Sequence, residues 1–364
     1  MLLWLSAANS ICCAQSAPGS IVLHDLTLIE NAKISSLNVD GVVLDGGLRY
    51  SWADILQGDV GDQQLEFDSA LKNIGMPLFR IKARLRNGSY SELQSLTDDL
   101  LAQVGESQGR TAYIAWAAAF HSRLESGQRT QAVLPLTRLL AIRETAGDLS
   151  ELDQSLNLRF SDDGICMDLL PVWFDKNPIT DVLASLPEDL NSEAAAIYRQ
   201  SLRAEIFSNQ NDSNDATTGS NLARESVWSP LLSAQSSMFD KNYAKAIETL
   251  NKSAPFPNPA QRAIALYYLG LAKRNQIKQL VADDSNSEPS VSTSNAGNDW
   301  KLDLLQIPAT WSDRFPELAA AAISQVLDEP ESVSPRFDSL RDELVNRFAN
   351  TFHGRRQKAI RNNE

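Results

Sequence analysis

Two periods of apolar spacing divide this 364-residue chain. Between residues 20 and 60 the apolar positions alternate or cluster in short β-rich runs, IVLHDLTLI and VVLDGGLRYSW, the second interrupted by Asp45-Gly46-Gly47. Alternation turns one face of a strand toward a core, and a glycine pair supplies the positive φ angles of a tight hairpin. A small β-hairpin element is therefore predicted ahead of the helices. SWADIL then predicts a helix start, with Ser51 as N-cap and Asp54 at N3, a variant of the capping box. From Leu65 onward the period becomes helical. LEFDSALKNIGMPLFRIKARL, ELQSLTDDLLAQV, TAYIAWAAAFHSRL and TQAVLPLTRLLAIR all space apolar residues i, i+3, i+4, i+7. The predicted class is mainly α: an irregular α-solenoid of helical hairpins behind a β-rich cap.

The joints between these helices carry a signal of their own. Gly88 and Gly127 lie 39 residues apart (127 − 88), each following Arg-Leu and two polar residues. Glycine tolerates the left-handed backbone at a helix C-terminus, so each predicts an elbow between antiparallel helices. At a third joint, Asp240-Lys241-Asn242, Asn242 is expected to take the place of glycine. LNLRFSDDGICMDLLPVWFDK, 156–176, breaks the helical period and reads as an ordered insert packed through Leu169, Leu170, Val172 and Trp173. Two Ser/Asn/Asp-rich stretches, 208–221 and 282–299, predict disorder, because their composition buries too little apolar surface to offset chain entropy. The expected order is a leader over 1–17, a β-rich cap over 18–64 and helical hairpins with the insert over 65–207. A flexible linker follows over 208–226, a helical pair over 227–281, a linker over 282–299, and a helical segment with a basic tail over 300–364.

YAKAIETL places Tyr243, Ala246 and Leu250 at the offsets of a tetratricopeptide-repeat second helix. ALYYLGLA, 265–272, matches a following first helix, with Leu266 for the usual Trp and Leu269-Gly270 as the Leu-Gly pair. Tyr90 and Leu93 fit one register of an earlier unit; Trp116, Ala132 and Leu136 fit another. The chain thus resembles tetratricopeptide repeats over about a third of its length. It departs from that family in its 39-residue spacing, against roughly 34 in the family, and in Arg129 at the Tyr position. GLRYSWADILQG, FDSALKNIGMPLFRIKARLRNGSY and GICMDLLPVWFD are together similar to exported proteins of planctomycete-type bacteria that carry no assigned activity. Both likenesses imply architecture, and the first implies a surface for a protein or peptide partner.

Charge narrows the partners. The formal net charge of −13 opposes a phosphate backbone over most of the surface, so no nucleic-acid partner is expected. HGRRQKAIR, 353–361, is basic and reads as a solvated helix end. The N-terminal MLLWLSAANSICCAQSA is too short in its apolar run to span a bilayer and reads as a secretory leader ending at Ala14 or Ala17. It lacks a positive n-region, and the alternative is an apolar helix kept in the fold. Removing the leader takes Cys12 and Cys13 with it and leaves Cys166 alone, so no intramolecular disulfide is expected. The expected location is exported, in the periplasm or cell envelope, with no integral membrane span after leader removal.

Candidate chemistry is sparse. The three histidines, His24, His121 and His353, show no metal-ligand spacing. Cys166 beside Ile165 and Met167 reads as a buried small hydrophobe rather than as the thiolate of a pair with His121. Asp98-Asp99 reads as a solvated helix face and Asp162-Asp163-Gly164 as a turn, without calcium-loop order. Asp283-Asp284 falls in a disordered stretch. No phosphate-binding glycine loop and no nucleophile elbow occurs. The seven tryptophans read as packing anchors. No catalytic, cofactor-binding or metal residue is assigned, and no cofactor is expected. The function expected is a non-enzymatic exported scaffold; the alternative is a cell-envelope enzyme acting on glycans or peptides through dispersed carboxylates.

A leader predicts that the mature protein in its host begins near Gln15 or Pro18. Terminal sequencing checks this, and an intact Met1 in a cytosolic fraction overturns it.

Overall fold

The computed structural model describes residues 19–186, 192–206, 226–283, 299–329, 332 and 334–362. The expected leader and the expected disordered stretch 208–221 lie outside the described residues, as does most of 282–299. The edges of that last stretch are helical, Ala282 and Asp283 closing one helix and Asp299 opening the next. The chain is mainly helical with a small N-terminal strand region.

That region is larger than one hairpin. β1 (Gly19–Leu23), β2 (Leu28–Ala32) and β6 (Ile55–Asp59) form one antiparallel sheet in the order β2-β1-β6. β3 (Ile34–Asn38), β4 (Gly41–Leu44) and β5 (Arg49–Ser51) form a second. The Asp45-Gly46-Gly47 turn joins β4 to β5 with positive φ at both glycines. The helix expected at SWADIL is not there. Ser51 does cap, its Oγ accepting from Ala53 N at 3.2 Å, but the helix is a single 3-10 turn over Trp52–Asp54. Strand pairing takes over where Ile55 meets Leu23, and the ladder outweighs local helix propensity. The turn buries Trp52 against Phe67, ring centroids 5.5 Å apart, and the indole donates to the Asn38 carbonyl at 2.7 Å.

Helices α1 (Gln64–Ala70) and α2 (Met76–Arg86) are joined by a π turn over Leu71–Gly75. A widened turn at this point accommodates Pro77, which has no N–H to give to a regular helix. Then follow α3 (Gln94–Val104), α4 (Arg110–Glu125), α5 (Val133–Ala146), the short α6 (Ser150–Ser155) and α7 (Ile179–Ser185), and α8 (Glu193–Ile206). Beyond them come α9 (Ser229–Phe239), α10 (Tyr243–Ser253), α11 (Pro259–Asp283), α12 (Asp299–Trp311), α13 (Pro316–Leu327), α14 (Asp338–Asn346) and α15 (Phe352–Arg361). From α9 to α13 each helix packs on the next, and α9 on α11 and α11 on α13 as well. The buried apolar side chains form one connected core from Ile21 to Phe348.

The glycine elbows hold. Gly88 (φ +67°) and Gly127 (φ +79°) end α2 and α4. After Gly88, Ser89 N donates to Arg84 O at 2.9 Å; after Gly127, Gln128 N donates to Arg123 O at 2.8 Å. These are the bonds that close a left-handed helix end. The third elbow corrects the expectation by one residue. Lys241, not Asn242, takes the positive φ, +57°. Asn242 instead caps the following helix, its side-chain oxygen accepting from Lys245 N at 3.2 Å. Asparagine suits both posts, and the N-cap bond fixes which one it fills.

The C-terminal basic run is likewise not simply a solvated end. Thr351 caps α15, Phe352 N donates to Glu317 Oε2 at 3.1 Å, and His353 and Gly354 are buried. Only its later turns, from Arg356, face largely outward.

Gly270 sits where α11 meets α12, and a Cβ there would lie 2.7 Å from Leu304 Cγ and 3.1 Å from the Trp300 carbonyl. Gly270→Leu is expected to cost about 1–3 kcal/mol by overpacking. Gly88 has open space around it but a left-handed backbone, so Gly88→Val should cost on the order of 1–2 kcal/mol through φ alone. Urea denaturation measures both, and unchanged midpoints would remove the roles given to these glycines.

Candidate functional site

The insert 156–176 makes the site. Gly164 (φ +76°) turns it back on itself, and Ser161 N donates to Ile165 O at 2.9 Å and Met167 N to Arg159 O at 2.8 Å. Leu169, Leu170, Val172 and Trp173 are buried, as their apolar spacing requires. Asp163 is more than a turn residue. It accepts from the Trp228 indole and from Asn258 Nδ2, which ties the turn to the segments preceding α9 and α11.

Beside the insert, α4, α5 and α6 leave an open groove of about 980 Å³. On its α4 side, Tyr90 stacks on His121 with ring centroids 4.6 Å apart and an interplanar angle of 9°. The His121 side chain is buried and its Nε2–H donates to the Leu156 carbonyl at 2.9 Å, the neutral tautomer placing the proton there. Burial, the largest cause, holds this imidazole down to about 4 despite the opposing pull of Asp168. It is uncharged at neutral pH. Asn157, with φ +56°, donates to the Leu85 carbonyl and to the Tyr90 hydroxyl at 3.3 Å.

Four of the groove's charges are matched in pairs, and Glu125 and Asp162 stand exposed on its lining. Buried Asp153 accepts from the Tyr113 hydroxyl and from Arg143, and burial pushes Tyr113 up to about 12, so the phenol keeps its proton. Arg143 also lies over the Phe160 ring, 4.4 Å from its centroid. Arg159 grips Asp168, and the hydrogen bond to that carboxylate raises the guanidinium further. A narrower cavity of about 290 Å³ adjoins the groove, sharing Leu124, Arg159 and Asp168, and continues to Arg314 and Arg347. Arg129 joins these walls: Nη2 donates to the Asp168 carbonyl at 3.1 Å and Nη1 lies 3.5 Å from Glu317 Oε1.

The structure keeps the sequence-level candidates apart. Cys166 is fully buried, and burial pushes its thiol up to about 12; its backbone N–H donates to the Tyr198 hydroxyl at 3.1 Å. It forms no hydrogen bond with His121. His24 stacks on Phe79 at 3.7 Å in the β-rich region, and His353 is buried in the first turn of the C-terminal helix. Asp98 and Asp99 are exposed on α3, and Asp162 is exposed at the turn. Trp52, Trp173, Trp228 and Trp300 are buried; Trp116 and Trp311 are half-buried. Among the described residues no three His, Cys, Asp or Glu side chains gather as metal ligands. The groove residues Arg143, Asp153, Asn157, Arg159 and Asp168, and Tyr113 behind them, had no sequence motif to announce them. Arg143 and Asp153 belong to different helices, and only the turn after α5 brings them together.

His121 and His353, both held to about 4, give stability a pH dependence. An unfolded imidazole titrates near about 6.5, so below that pH the unfolded chain binds more protons than the folded one. Their contribution is therefore full above pH 6.5 and is lost as pH falls toward 4. Urea midpoints between pH 7 and 4.5 should fall with acid, and the slope should flatten in His121→Gln/His353→Gln. An unchanged slope in the double variant overturns this assignment.

Comparison with protein-family models, curated proteins and solved structures gave no match, so the functional reading rests on the geometry of this chain.

Proposed function

We propose that the protein is a non-catalytic scaffold of the cell envelope, exported, that holds a protein or peptide partner in the groove beside the insert. Its body is read as an irregular TPR-like helical repeat, supported by the sequential packing of α9 through α13. The observation that carries the reading is the state of the groove's ionisable groups. Asp153 and Asp168 are each held by an arginine, His121 is neutral and committed to a carbonyl, and the Cys166 thiol is buried. General acid–base or nucleophilic work needs a group poised to exchange a proton with substrate. A groove open along its length and lined by Arg159, Phe160 and Glu125 instead offers an extended chain shape, apolar contact and hydrogen-bonding edges.

The test is capture from an envelope fraction, with cross-linking to locate the contact. Glu125→Lys with Gln154→Lys, both exposed on the groove, should abolish capture while shifting the melting midpoint little, since surface changes usually cost within about 0.5 kcal/mol. His121→Gln, Cys166→Ala and Asp162→Asn should leave capture intact. If one of these three kept the fold and removed a turnover activity on envelope glycans or peptides, the protein would be an enzyme.

A further inference from the structure

A second cavity, of about 440 Å³, lies where the end of the insert meets α8, α9, α11 and α15. Its apolar wall is aromatic, with Trp173, Phe239 and Tyr267 among its members. Its polar members are in a different state from those of the groove. Gln235 Oε1 and both ring nitrogens of His353 are buried without a hydrogen-bond partner, and Glu205 Oε2 meets only the ammonium of an exposed lysine, Lys176. Leaving such a group unsatisfied is expensive, so three unpartnered atoms on one cavity make it a candidate binding place.

What is bound can be read from Lys176. Its Nζ forms an ion pair with Glu205 Oε2 at 3.2 Å, while Glu205 Oε1 accepts from Gln235 Nε2 at 3.2 Å. The same ammonium stands 4.9 Å from the centroid of the Phe239 ring. A carboxylate and an aromatic face bracketing a cation are the elements of ammonium recognition. The Glu205 side chain is only 7% exposed, whereas that of Lys176 is 63% exposed. The acid is fixed in the wall, and the lysine reaches it from outside and can withdraw.

We propose that this cavity binds an alkylammonium group, received by Glu205, Gln235 and the face of Phe239, with Lys176 standing in for the ligand when the site is empty. The unpartnered Gln235 Oε1, and Glu205 Oε2 once Lys176 withdraws, call for N–H donors. The aromatic wall accommodates an alkyl stem. His353, kept neutral by burial with Arg356 adding to the effect, offers one donor and one acceptor and no competing positive charge. The chain's net charge of −13 draws cations toward it, and a buried carboxylate repels anions. The proposal is independent of any partner in the groove.

Calorimetry with the full chain tests it, using cadaverine as probe, 1,5-pentanediol as the uncharged isostere and Nα-acetyl-lysine methylamide as the side chain of a peptide. Lys176→Met removes the internal competitor and should bind cadaverine about tenfold more tightly than the native chain. Glu205→Gln should weaken cadaverine by at least about tenfold, and the diol should not bind. Equal binding of the lysine derivative and cadaverine identifies a partner's lysine as an acceptable source; binding of cadaverine alone identifies a free amine. Phe239→Leu placed in Lys176→Met keeps the test decisive if Glu205→Gln fails to fold, and it should weaken cadaverine by roughly two- to fivefold. The proposal is overturned if Lys176→Met gives no binding heat with cadaverine. Diol binding equal to cadaverine, or undiminished cadaverine affinity in Glu205→Gln or Phe239→Leu, overturns it equally.

Discussion

The Tyr198 hydroxyl is the contact on which the rest of the arrangement depends. It is fully buried on α8, accepts from Cys166 N at 3.1 Å and donates to the Leu169 carbonyl at 2.6 Å. Burial raises its pKa well above the phenol's ordinary value, so the donating proton stays in place. The residues it holds belong to a segment without helix or sheet, whose backbone groups have no ladder to satisfy them. Buried backbone polar groups must find partners, and here side chains supply them. Thr130 donates to the Asp175 carbonyl, Arg129 to that of Asp168, and the Trp173 indole to Ser201 Oγ. An irregular strap of this kind has a unique position only because each of these bonds is made.

Once fixed, the strap shapes two different environments. Its first half, with Asn157, Arg159, Phe160 and Asp168, faces the open groove against α4 and α5. Its end, with Val172, Trp173, Phe174 and Lys176, closes a smaller cavity against α8, α9, α11 and α15. Asp163, at the turn between, fastens the strap to Trp228 and Asn258 and so couples the later helices to the earlier ones. Arg129 does the same toward α13 through Glu317. The later and earlier helical blocks thus meet on the strap as well as on each other.

How much of this was legible follows from how local each determinant is. The elbows at Gly88 and Gly127 and the close approach at Gly270 were legible, because backbone angle and side-chain volume are properties of single residues. So was the burial of Cys166 and Trp173, which neighbouring apolar residues announce. Lys241 was missed because nothing in its own chemistry favours positive φ; Asn242 is drawn to the N-cap and leaves it the elbow. The turn at Trp52 was misread because Ile55 gains more from pairing with Leu23 than from another helical turn, and that partner is 32 residues away (55 − 23). Nothing in the sequence pairs Arg143 with Asp153 or Lys176 with Glu205. Ion pairs across helices depend on packing angles that no short pattern encodes.

The two environments differ in one physical respect that bears on function. In the groove the buried polar groups satisfy one another: Tyr113, Arg143 and Asp153 form a closed set, and His121 is spent on Leu156. Such a surface is finished before any partner arrives, and it can contribute shape and its outward edges at little reorganisation cost. In the cavity the buried polar groups are not satisfied, and a flexible lysine fills part of the deficit from outside. Where Tyr198, Thr130 and Arg129 pair the backbone of the strap, Gln235 Oε1 and His353 stay unpartnered beside a carboxylate held by an exposed lysine. The cavity gathers several such atoms beside an aromatic face for a cation, and that combination gives a bound ligand something to gain there that water gives poorly.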